Sequence, residues 1–201
     1  MDELDSTTNL IPLRYTILKR FGYGLGHIFN DMCAAMGFTY SLIFFQKVLG
    51  FNSFFAGIFM AIGQLADGIA TVLVGVLSDK KDLFKCFIRF GNRNSWHLMG
   101  TLCVAIAFPF IFMPCINCEN ESQEIKLVYY SGFSLILMFG FASVQISHLA
   151  MIPELASTSN EKTLLTSIRF ACFYLFSKIQ GVEVDILLSV YFNKYLYVFI
   201  K

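Results

Sequence analysis

The run from Phe54 to Leu77 constrains this chain more than any other stretch. It is almost unbroken apolar text, interrupted by glycines and by Gln64, Asp67 and Thr71. At 1.5 Å rise per residue, about 24 residues of helix cross a hydrocarbon layer ~30 Å thick. A soluble core could also bury such a run, so composition decides. The chain is 56% hydrophobic and 14% charged, with 23 Phe in 201 residues and a mean hydropathy of +0.63. That leaves too little polar surface to cover a soluble globule, and the expected class is an all-α, polytopic transmembrane helix bundle. The net charge of +1 favours no acidic or nucleic-acid partner; the bilayer is the partner implied.

Within that helix, Gln64, Asp67 and Thr71 are spaced three and four apart and share one face. A carboxylate near the centre of a membrane helix costs at least ~2.5–3.5 kcal/mol on insertion scales, so Asp67 is expected to face a partner, water or a solute. The plainer alternative is a hydrogen-bonded cluster that glues helices together, but Ser, Thr or Asn would do that at lower cost.

Residues 1–20 read as a polar cytosolic tail with no cleavable signal sequence. Phe21 to Leu49 is the first expected span. It carries His27, Asn30 and Asp31, and a Gly22–Gly26 pair that would let another helix approach closely. His27 and Asp31 lie one helical turn apart and can exchange a hydrogen bond or a proton; simple solvation near the membrane face is the equal alternative for His27. A Gly50-Phe51-Asn52-Ser53 turn leads into the organising helix. The loop from Asp79 to Arg93, with Lys80, Lys81, Lys85, Arg89 and Arg93, is rich in cations and marks the cytosolic side.

Trp96 and His97 read as an interfacial belt opening a third span, which ends near Met113. The connection that follows is acidic and belongs on the opposite face. It holds an Asn120-Glu121-Ser122 glycosylation sequon, and Cys115 and Cys118, expected as a disulfide or free thiols because no second ligand pair completes a metal site. Tyr129 to Ile152 is the fourth span, with Gln145 and His148. A fifth apolar run begins near Leu164 and contains Arg169; after Ile179 the apolar pattern fails. No H-E-x-x-H or G-x-S-x-G context accompanies the polar residues, so no enzyme is expected.

Several segments together resemble one family. Gly24-Leu25-Gly26-His27-Ile28-Phe29-Asn30-Asp31, Gln64-Leu65-Ala66-Asp67-Gly68 with Gly75 and Asp79, Arg89-Phe90-Gly91-Asn92-Arg93-Asn94-Ser95-Trp96, Ile152-Pro153-Glu154-Leu155 and Ser167-Ile168-Arg169-Phe170 resemble the glycoside-pentoside-hexuronide:cation symporter branch of the major facilitator superfamily. Phe108-Pro109-Phe110-Ile111-Phe112-Met113-Pro114-Cys115 and Gln145-Ile146-Ser147-His148-Leu149 resemble its animal members that import cysteine into lysosomes and melanosomes. The resemblance covers about Arg20 to Ile179.

The resemblance implies a secondary, symporter-like carrier of a small polar organic solute in a multi-pass organelle membrane, with the plasma membrane as the alternative place. Cysteine is the first candidate solute and a sugar the second. In the family's sugar symporters, residues matching Asp31 and Arg169 contact solute and the acid matching Asp67 serves a cation. Thr71 and Gln145 stand where two further cation-site acids would be. That argues against sodium and for a coupling proton at the single carboxylate of Asp67 with His27 and His148, or for no coupling at all. No other cofactor and no metal are implied. Family carriers have about twelve helices in two halves; this chain supplies about five, an incomplete amino-terminal half over residues 21–179 followed by a divergent tail over 180–201. A truncated product is therefore expected, which either carries solute or, transporting nothing, associates with a full-length carrier.

Overall fold

The computed structural model describes residues 18, 20–79, 92–116, 118, 121–156 and 158–178. Most of the amino-terminal tail, Arg89 and Gly91 of the loop motif, Asn120 of the sequon, and residues 180–201 lie outside the described residues. Among the described residues all regular structure is helical. The helices are α1 (Arg20–Val48), α2 (Ser53–Ser78), α3 (Asn92–Ile111), α4 (Gln123–Ala150), the single turn α5 (Ile152–Leu155) and α6 (159–178).

Among the described residues, four helices are long and apolar enough to cross a membrane: α1, α2, α3 from Arg93, and α4 together with α5. They match the four expected spans: the first is shifted by one residue, the second is one residue longer at each end, and the third and fourth begin earlier than expected, at Arg93 and Gln123. The fifth expected run is a helix, but α6 carries Glu161, Lys162, Arg169 and Lys178 and is not among the four.

The chain divides into two compact units. The first joins residues up to Met32 with those from Thr163 onward. There α1 and α6 pack so tightly at Gly24 that a Cβ would lie 2.9 Å from Ile168 Cγ2 and 3.3 Å from Cys172 Sγ. Gly22, expected to be the point of close approach, has nothing within 4 Å. Helix packing depends on which residue faces the neighbour, and here that residue is Gly24.

The second unit, Cys33–Lys162, is built on the contact of α4 with α2 and α3. α1 ends in a π-helical turn, Phe44–Val48, and Gly50 takes a φ of +71°, a conformation that suits glycine, to reverse the chain into α2. The Asn52 side chain accepts from the Phe55 N–H at 2.9 Å and caps α2, while the Asn52 N–H donates to Gln123 Oε1 at 3.0 Å, tying the start of α2 to the start of α4. Beneath this junction lies an aromatic core. Phe45 stacks on Phe59 with centroids 4.0 Å apart and meets Phe51 and Tyr130 edge-on. The Tyr130 hydroxyl donates to the Met113 carbonyl at 2.9 Å, so its one polar atom is satisfied.

At the other end, α3 and α4 meet backbone to backbone. A Cβ on Gly100 would lie 2.8 Å from the Gly140 carbonyl oxygen, and one on Gly140 would lie 3.0 Å from that of Gly100. Trp96 is 2% exposed and packs with Ala70, Val74 and Ala142. It is a core residue of the α2–α3–α4 contact and not the interfacial anchor its position suggested.

Candidate functional site

In the first unit the chain breaks its helical pattern at Gly26–His27 and resumes at Ile28. His27, at the turn, is fully buried, so the solvated alternative does not hold for it. Its Nδ1 lies 2.9 Å from Asp31 Oδ1, and Arg169 Nη2 approaches the same oxygen at 3.4 Å from α6. The Asp31 side chain is 19% exposed, that of Arg169 10%, and Asn30 alongside is buried. One carboxylate oxygen is thus held between an imidazole one turn away and a guanidinium 138 positions later.

A charge this poorly hydrated must be paired, and each of the two formal charges supplies what the other needs. The pair can also exchange partners. A carboxylate and a guanidinium with some residual exposure can each release the other for a ligand carrying the complementary charge, with His27 able to accept or return a proton.

In the second unit, Gln64 and Thr71 are exposed and Asp67 is half-buried, with no ion-pair partner among the described residues. Their shared stripe lies along an α2 whose other outward residues, Leu65, Ile69, Val72, Leu73 and Val76, are exposed and apolar. Gln64 also borders a cavity of about 30 Å³ lined by Ser41, Phe59, Gly63, Ser134 and Phe141, room for a water or two. Gln145 is half-buried on α4, and His148, one turn on, is buried with its ring against that of His97. The expected site residues therefore fall into a paired cluster of His27, Asn30, Asp31 and Arg169, a stripe of Gln64, Asp67 and Thr71, and the Gln145–His148 turn. His97 was missed as a site residue because its sequence neighbour Trp96 suggests an interface. No sequence signal pairs it with His148, because the two rings meet only through the Gly100–Gly140 contact of α3 with α4.

At the α3 start, Arg93 Nε lies 3.4 Å from Glu154 Oε1 on α5, a largely exposed pair worth about 0–1 kcal/mol. Asp79, expected with it in the loop motif, is an exposed residue at the end of α2. Cys115 and Cys118 form a disulfide, with Cα atoms 5.4 Å apart.

A family model described as MFS/sugar transport protein matches residues 22–191. The human and mouse proteins called major facilitator superfamily domain-containing protein 12 are 45% and 43% identical over 80% of this chain and 33% of their own length. A putative sulfoquinovose importer of Escherichia coli is 23% identical over 82% of the chain and 34% of its own length. No solved structure matches. The chain spans about a third of the curated relatives it matches. With four helices of membrane length among its described residues and a family match over most of its length, the chain is an integral, multi-pass membrane protein of the MFS/sugar transport family.

Proposed function

We propose that the Asp31–Arg169 pair is the solute contact of a secondary carrier and that its solute is a small zwitterion, cysteine before a sugar. The observation that carries this is the geometry of one carboxylate oxygen shared by His27 and Arg169 with little exposure to water. An α-amino acid brings a carboxylate for Arg169 and an ammonium for Asp31, so it can replace the internal ion pair without leaving either charge bare. A sugar offers hydroxyls alone and would have to bind beside the pair. The resemblance to animal cysteine importers favours the same choice and supports a lysosome- or melanosome-type membrane, while the cation-rich Asp79–Arg93 loop supports an amino terminus in the cytosol.

A proton is the proposed coupling ion. Asp67 is the remaining acid of its stripe, since Thr71 and Gln145 cannot offer sodium the carboxylates the resemblance associates with it. A second reading is that this short chain associates with a complete carrier and transports nothing itself. It is favoured by the open space around Gly22, which leaves room for another helix to approach.

The test is uptake of labelled cysteine into organelles isolated from cells that make the 201-residue chain alone, the human relative alone, or both. Uptake by the short chain alone that falls at least tenfold in Asp31→Asn supports the carrier reading. Co-purification of the two chains, with no uptake by the short one, supports the second. Uptake by the short chain alone that is unchanged in Asp31→Asn removes the proposed contact.

A further inference from the structure

The chain has three histidines. His27 is engaged with Asp31; the other two, His97 on α3 and His148 on α4, meet across a different contact with ring centroids 5.8 Å apart and planes inclined at 43°. His148 is 1% exposed and His97 half-buried. Their approach is a consequence of the glycine contact, because Gly100, one turn along α3 from His97, lies against Ser143 and Val144 of α4.

Two imidazolium charges at this separation repel each other, and partial burial leaves the repulsion weakly screened. A single charge meets a different field. His148 lies in the last turn of α4, where outward-pointing carbonyls favour a cation, whereas His97 lies beyond the first turn of α3, where the opposing influence has decayed. The charged residues described on the elements that contact one another here are Arg93 on α3, Glu154 on α5, Asp67 on α2 and Asp79 at its end, with Glu124 and Lys126 at the far end of α4. Arg93 is engaged by Glu154, and the cation-rich connection from Lys80 to Arg89 that joins α2 to α3 lies outside the described residues. The ligand that an imidazole takes most readily near neutral pH is a proton.

We propose that His97 and His148 form a site for one proton, carried on His148, with His97 as the neighbour that limits the pair to a single charge. The site needs neither the solute nor its identity, and it is separate from both the His27–Asp31 pair and Asp67.

The experiment is nitrogen NMR of the intact chain, labelled at its histidines and held in lipid nanodiscs, followed from pH 8 to pH 4. Ring nitrogen shifts distinguish neutral from charged imidazole, and His27→Gln identifies the third ring. The expected result is one proton taken up by the His97–His148 pair, read mainly on His148, and a change of at least about tenfold in the proton affinity of His148 in His97→Gln. Uptake of two protons, an unaltered His148 titration in His97→Gln, or no titration of either ring would each overturn the proposal. If His97→Gln fails to fold, the proton count on the intact chain decides: one supports the shared site and two refutes it.

Discussion

At the scale of single residues, the account turns on Asp31. Arg169 reaches it across 138 positions, so Asp31→Asn leaves a guanidinium with 10% exposure beside a neutral amide. Unpairing a buried charge costs up to about 3–5 kcal/mol; with this residual exposure, about 1–3 kcal/mol is expected, read as a lower thermal midpoint in detergent. Adding Arg169→Gln to Asp31→Asn should recover part of that loss, because the double variant has no stranded charge. Two independent, additive losses would mean that the pair is not coupled. None of this spacing was legible locally. Periodicity picks out His27 with Asp31, one turn apart, but only the family resemblance put Arg169 in the same company. Asp67 shows the reverse. Its position on a polar stripe is plain from the sequence, while no ion-pair partner for it stands among the described residues.

At the scale of helices, the apolar runs set the elements and small residues set how closely they pack. Gly100→Ala would push a Cβ to within 2.8 Å of a carbonyl oxygen that belongs to the backbone of α4 and has little freedom to yield. Overpacking of this kind costs about 1–3 kcal/mol. Gly22→Ala meets nothing within 4 Å and should be neutral, or stabilising through helix propensity. Comparing the thermal midpoints of the two variants tests the assignment, and equal losses would refute it. Asn52→Ala should cost about 1 kcal/mol through the lost α2 cap, seen as faster amide exchange in the first turn of that helix. Span limits could be read closely from apolar length and turn residues such as Gly50. The burial of Trp96 could not, because it depends on α2, α3 and α4 meeting at one level, and hydropathy along a single helix does not record its neighbours.

At the scale of the whole molecule, the sequence made the class legible through its excess of apolar residues and the family through ordered motifs. The most direct test of the central claim, that charged residues inside the membrane helices meet a solute, is equilibrium binding of labelled cysteine to the chain in membrane vesicles from the cells that produce it, normalised to folded protein. The account predicts saturable binding that weakens at least tenfold in both Asp31→Asn and Arg169→Gln and that excess unlabelled cysteine displaces. Saturable binding that both variants leave unchanged, or no displaceable binding at all, would contradict it.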